Sequence, residues 1–104
     1  MAFNDVGALE EFETGRGRMV VVDGTPVAVF RDGERIMAIH AVCVHRGGPL
    51  GDGTMTGGKV LCPWHLWEYD LTSGRCLSNP DASVAAYEVR VDSGRVLVAV
   101  GPRT

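Results

Sequence analysis

The sequence predicts an all-β domain, a small antiparallel β-sandwich or partly open barrel. Three observations predict it. Apolar runs are short and rich in β-branched residues, Gly-containing turns separate them, and a 3.6-residue apolar period shows only once, faintly. A chain of 104 residues has room for one domain with a modest core and none for a separate catalytic domain.

The elements follow in order. The one helical period lies in "DVGALEEF" (5–12), where Asp5 is placed to N-cap a turn of helix. "RMVVV" (18–22), "PVAVF" (26–30) and "RIMAIHAV" (35–42) read as a three-strand meander. Asp23-Gly24 and Asp32-Gly33 join them, and Gly accepts the positive φ that a tight hairpin turn needs. Gly57-Gly58 turns the chain into "KVL" (59–61), and "LWEYDL" (66–71) is a strand closed by Thr72-Ser73-Gly74. "AAYEVRV" (85–91) and "RVLVAV" (95–100) flank Asp92-Ser93-Gly94 as a final hairpin. The Gly- and Pro-rich block 43–66 reads instead as two loops, 43–50 and 62–66, with the Gly57-Gly58 hairpin between them. The expected organisation is a single domain, 1–104, with a β scaffold at about 1–42 and 67–104 and a small two-loop subdomain at about 43–66.

Composition narrows the function classes. The chain is 45% hydrophobic and 22% charged, as globular proteins are. A net charge of −3 gives no support to nucleic-acid binding and suits a partner with a basic docking patch. "MAFNDVGALEEFETG" is acidic and lacks the apolar core of a signal peptide, and no apolar run reaches membrane-spanning length. The expected place is therefore the cytoplasm, without membrane association. Disulfides are rare there, and three cysteines is an odd number for a disulfide framework.

The chemistry concentrates in loops 43–50 and 62–66. Two of the three cysteines and two of the three histidines fall there, as Cys43-x-His45 and Cys62-x-x-His65, with 16 residues between His45 and Cys62. Two thiolates and two imidazoles form a ligand set for a metal centre. One reading is a structural zinc site, since zinc takes Cys₂His₂. Zinc fingers, however, put both cysteines in one half and both histidines on a helix in the other. Here each loop offers one of each, in a β setting, and that arrangement suits a two-iron centre with cysteines on one iron and histidines on the other.

With "HRGGPL" and "CPWH" as they stand, this pattern resembles the Rieske [2Fe–2S] proteins, above all the small ferredoxins of bacterial oxygenase systems. The likeness runs from the meander to the hairpin after Asn79-Pro80. It implies a Rieske-like fold, one Rieske-type [2Fe–2S] cluster per chain, Cys43 and Cys62 on its inner iron, and His45 and His65 on its outer iron near the surface. Two imidazoles in place of thiolates lift such a cluster to about −150 to +300 mV, against roughly −400 mV for all-cysteine plant-type ferredoxins.

The resemblance also assigns neighbours. Respiratory members join the two loops by a disulfide at the positions of Gly48 and Trp64, which this chain lacks. They carry a serine and a tyrosine whose hydroxyls donate to cluster sulfur. Trp67 stands at the serine position and Tyr69 at the tyrosine position, so one donor of two is missing and a potential towards the low end is implied. Tyr69 also reads as a core aromatic of its strand. Pro80 matches the proline of a third loop that covers the cluster, and Pro49 and Pro63 are further candidates for excluding water. Trp64 and Leu66 bracket His65 as an apolar docking rim, and Arg46 is placed to steer an acidic partner. Leu66 departs from the glycine that many members have there. Cys76 reads as a buried thiol and His40 as a satisfied strand histidine.

The expectation is an electron carrier rather than an enzyme. It would pass one electron from a flavin-containing, NAD(P)H-dependent ferredoxin reductase to a terminal oxygenase, a ring-hydroxylating dioxygenase or related monooxygenase, with a diiron hydroxylase as the nearest variant. A shuttling carrier of this kind would be a monomer. No 2-His-1-carboxylate set and no nucleotide fingerprint accompany the four ligands. Two alternatives stay open: the small Rieske subunit of an NAD(P)H nitrite reductase, and a structural zinc or interaction domain.

Overall fold

The computed structural model of the protein describes residues 3–43, 48–64 and 67–100. Four of the residues singled out above, His45, Arg46, His65 and Leu66, lie outside them. Within the described residues the chain forms β1 (Asn4–Ala8), a single-turn 3₁₀ helix η1 (Leu9–Glu11), β2 (Gly17–Val22), β3 (Thr25–Asp32) and β4 (Arg35–His40). It continues with η2 (Leu50–Asp52), β5 (Thr54–Thr56), β6 (Lys59–Leu61), β7 (Glu68–Asp70), β8 (Ala86–Asp92) and β9 (Arg95–Ala99). Six strands make one antiparallel sheet in the order β1-β9-β8-β4-β3-β2, and its two edges come into contact, so it nearly closes into a barrel. The remaining three make a small sheet in the order β5-β6-β7. The all-β expectation therefore holds.

The meander folds as its turns dictate. Val22 lies opposite Thr25 around Asp23 and Gly24, whose φ values are 50° and 78°, the mirror-image turn that matches strand twist. Ser93 and Gly94 repeat it at 53° and 76° between β8 and β9. The second turn is centred one residue later than Asp32-Gly33, because Asp32 still pairs with Arg35 and Gly33 takes the first turn position.

Residues 5–12 are a correction. Asp5 does not cap a helix; it lies in β1, paired with Leu97 of β9. Its carboxylate accepts the Gly7 N–H at 2.9 Å and accepts from Arg95 Nε and Nη2, at 2.9 and 3.0 Å. The local helical period loses to an edge-strand pairing with β9, and only the turn η1 remains. Glu11 caps that turn by accepting the Ala8 N–H at 2.7 Å.

Strand β3 explains why "PVAVF" shows no alternation. Val27, Ala28, Val29 and Phe30 are all fully buried. Val27 and Val29 face the inside of the barrel with Phe12, Val22, Ala38, Val96 and Val98. Ala28 and Phe30 face outward, into a second core shared with Ile39, Leu50, Val60, Tyr69, Leu71 and all three cysteines. The small sheet covers that outer face, and the site is built where the two meet.

Candidate metal centre

The two cysteine loops are closed in the same way. In the first, the Ala41 N–H donates to Pro26 O at 3.0 Å and the Leu50 N–H to Ala41 O at 2.8 Å, so the large sheet holds both its ends. The Cys43 N–H then donates to Gly48 O at 2.9 Å, while Val42 bridges to Pro49. In the second, β6 delivers Cys62, whose N–H donates to Trp67 O at 2.7 Å, immediately before β7. In each loop the closing carbonyl thus lies five positions after the cysteine whose N–H it accepts. In sequence His45 falls within the first loop and His65 within the second.

Both sulfurs are withdrawn from solvent. Cys43 is 1% exposed and Cys62 0%. The Tyr69 hydroxyl, also buried, lies 3.0 Å from Cys43 Sγ. A thiolate has no proton to give, so with Cys43 as thiolate the hydroxyl is the donor. Gly48 is needed for room: a Cβ there would stand 2.7 Å from Cys62 Sγ and 3.3 Å from Trp64 Cβ. These are features that a two-thiolate cluster ligand set requires. The sulfurs sit in an apolar core, one accepts a hydrogen bond, and a bare backbone leaves clearance at the other. The donor set therefore fits a [2Fe–2S] cluster. Among the described residues no group of three or more His, Cys, Asp or Glu side chains is placed to hold a metal.

The neighbouring residues fall as follows. Trp67 is half-buried against the outer core, and its carbonyl, not a side-chain hydroxyl, serves the site. Trp64 is 63% exposed, so it does not pack beneath the loop. Pro63 is exposed, and Pro49 leads into η2. Pro80 is exposed and lines a shallow groove with Arg75, Cys76 and Leu77. Cys76 is a buried thiol at 4% exposure, as expected. His40 Nδ1 lies 3.3 Å from Tyr87 Oη, a satisfied strand histidine. Burial pushes the Tyr87 phenol above its ordinary value.

Two features of the site went unseen in the sequence. Gly48 carries the clearance at Cys62, and its signal was the second glycine of "HRGGPL". The stretch 75–78, which lines β7, has no strand pattern at all. Directly after Tyr69, the Asp70 carboxylate accepts from Thr72 N at 2.8 Å and Ser73 N at 3.0 Å. Hydrogen bonding to Thr72, above all, holds its pKa below the ordinary value of 3.8.

Comparison with known proteins agrees with this geometry. The Rieske [2Fe–2S] domain profile matches residues 2–89. The anthranilate 1,2-dioxygenase ferredoxin subunit of Burkholderia cepacia is 33% identical over 100 residues, 95% of this chain and 93% of that one. The ferredoxin of carbazole 1,9a-dioxygenase from Nocardioides aromaticivorans IC177 superposes with a TM-score of 0.89 at 31% identity, covering 95% of this chain and 98% of that one. A ferredoxin in a complex of reduced oxygenase and oxidized ferredoxin in carbazole 1,9a-dioxygenase gives 0.85 at 31% identity, over 93% and 92%. A putative NADH-dependent nitrite reductase small subunit from Mycobacterium tuberculosis gives 0.90 at 29% identity, over 98% and 97%. This chain belongs to the Rieske [2Fe–2S] domain family, and its cofactor is a Rieske-type [2Fe–2S] cluster.

Proposed function

We propose that this chain is a one-electron carrier that takes an electron from a flavin-containing NAD(P)H-dependent ferredoxin reductase and delivers it to a terminal oxygenase acting on aromatic or related substrates. When bound, the cluster supplies a reversible one-electron couple. The chain's own residues hold and insulate it. Cys43 and Cys62 take one iron, and His45 and His65 the other. Tyr69 donates to Cys43 Sγ, and Trp67 has no hydroxyl to offer. Pro80 contributes to the cover, and Arg46, Trp64 and Leu66 form the docking rim. The loops 43–48 and 62–67, with the small sheet, act as the cluster-binding part of a single domain. The carrier works as a monomer in the cytoplasm.

One observation carries this reading. A buried sulfur pair, one sulfur bonded by the Tyr69 hydroxyl, lies at the base of two loops, while Trp64 in the second loop is exposed. An electron store so close to an aromatic surface is arranged for transfer to another protein rather than for chemistry on a small molecule. Among the described residues, no helix is long and apolar enough to cross a membrane.

The test is a redox titration of the cluster-loaded protein followed by EPR, then mixing of the reduced protein with an oxidised Rieske dioxygenase. A Rieske signal, a midpoint in the lower part of the range and rapid reoxidation by the oxygenase are expected. A Rieske signal with no transfer to any oxygenase would remove the carrier assignment. The similarity over 98% of the chain to a nitrite reductase small subunit favours one second reading, a fixed subunit of such an enzyme. Stable co-purification with a large sirohaem protein would establish it.

A further inference from the structure

Strand β7 is three residues long and carries Tyr69 at its centre. On one side it pairs with β6, with Val60 opposite Tyr69. On the other side runs 75–78, which hydrogen-bonds like a fourth strand. The Asp70 N–H donates to Arg75 O at 2.8 Å and the Leu77 N–H to Glu68 O at 2.7 Å, which sets Cys76 opposite Tyr69. Ser78 Oγ accepts the Glu68 N–H at 3.0 Å. The stretch is anchored behind as well. The Cys76 N–H donates to Ala82 O at 3.1 Å, Arg75 bridges Ser83, and the Val84 N–H donates to Gly74 O at 2.7 Å. Gly74 has a φ of 79°, and a Cβ on it would fall 2.0 Å from Val84 O, so only glycine closes this anchor.

Residues opposite each other across antiparallel strands share a face, with Cβ atoms about 4.5–5.5 Å apart. Tyr69 therefore lies between Val60 and Cys76, all three buried in the outer core. A ring flanked on both sides has its hydroxyl placed by the size of its flanks. That hydroxyl is 3.0 Å from Cys43 Sγ, and hydrogen bonds weaken as they lengthen.

We propose that 75–78 is a strap that positions Tyr69, and that Cys76 within it sets how closely the hydroxyl approaches Cys43 Sγ, tuning the reduction potential. The proposal rests on the reading of Tyr69 as a donor to a cluster thiolate. Cys76 is a positioning residue, acting through Tyr69. A thiol suits the place because it is small, polarizable and packs well against an aromatic ring. Valine would crowd the ring, and alanine would leave it slack; both changes lengthen the bond and disfavour the reduced state.

The experiment is a mediated redox titration of the cluster-loaded full-length protein. Cys76→Val, Cys76→Ala and Ser78→Ala are each made with Tyr69 and again with Tyr69→Phe. With Tyr69 present, the Cys76 variants should lower the reduced-to-oxidised ratio at the wild-type midpoint by about threefold, less than loss of the hydroxyl itself, tenfold being 59 mV for one electron. In the Tyr69→Phe background the same changes should shift it by less than about twofold. Ser78→Ala, on an exposed side chain, should shift it in the same direction by a smaller factor and leave the melting temperature in place. Equal shifts in both backgrounds, or no shift with Tyr69 present, would overturn the strap. If the Cys76 variants do not fold, Ser78→Ala decides alone: a Tyr69-dependent shift supports the strap, and its absence overturns it. Mediators replace the protein partners, so failure of the carrier reading would appear separately, as normal potentials without delivery to an oxygenase.

Discussion

The Tyr69 hydroxyl reaches Cys43 Sγ at 3.0 Å although 26 residues separate them in the chain. The contact exists because β7 lies in the small sheet while Cys43 leaves the end of β4 in the large one. A donor to a thiolate favours the more negative, reduced cluster. Tyr69→Phe should therefore lower the midpoint. Only the difference between redox states counts, about 1 kcal/mol of a charge-assisted bond, so the fall should be about 30–60 mV. Protein-film voltammetry of the two proteins measures it, and an unchanged midpoint would remove Tyr69 from the cluster's environment.

Gly48 should tolerate no side chain. A Cβ 2.7 Å from Cys62 Sγ must displace either the loop or the ligand. Gly48→Ala is expected to fold but to hold its cluster about 10-fold less well against an iron chelator. Loss of the visible absorbance over time gives the rate, and retention equal to wild type would mean that the first loop yields freely.

The same geometry permits a staple. The Cβ built at 48 stands 3.3 Å from Trp64 Cβ, slightly shorter than the usual disulfide separation of about 3.5–4.5 Å. Gly48→Cys with Trp64→Cys should form a disulfide on mild oxidation after a small outward shift of the first loop. Peptide mapping under non-reducing conditions detects it. The closed form should be more stable than the open one by about 2–4 kcal/mol, read from denaturant unfolding with and without reductant. Two thiols that stay open would mean that the loops are held further apart in solution.

Acid should loosen the turn after β7. The Asp70 carboxyl has a lowered folded-state pKa, chiefly through Thr72, so its unfolded form binds a proton first as pH falls. Its contribution is present above the unfolded value of 3.8 and is lost as pH drops through the lower folded value. Asp5, held low by hydrogen bonding to Arg95, follows the same sign. Asp70→Asn keeps an acceptor oxygen for the turn but cannot titrate. Its melting temperature should fall less steeply than wild type below pH 4 (about the unfolded carboxylate value). Parallel acid limbs would show that Asp70 does not contribute.

Much of the scaffold is legible in the sequence because its signals are local. Asp23-Gly24 and Gly57-Gly58 announce hairpins by the backbone conformations they alone adopt cheaply. The cysteine spacing is equally local, and the structure buries both thiols in one core. What escaped is what depends on pairing at a distance. Residues 5–12 show a helical period, yet β9 draws Asp5 into a strand through Arg95. Strand β7 reads as part of the scaffold, but its hydrogen bonds go to β6 in the small sheet. The stretch 75–78 has no period to detect, because its order comes largely from backbone bonds to Glu68, Asp70 and Ala82.

Strand β3 is the common wall of two cores, with Val27 and Val29 turned to the barrel and Ala28 and Phe30 turned to the cluster's core. Neighbouring positions on one strand thus answer to different demands. Conservative substitutions walked along it should reveal a parity rule. Odd-numbered positions should change thermal stability and leave the electron affinity of the centre alone. Even-numbered ones should change both. A protein built this way can drift in robustness through one set of positions while its redox tuning stays fixed by the set one residue away.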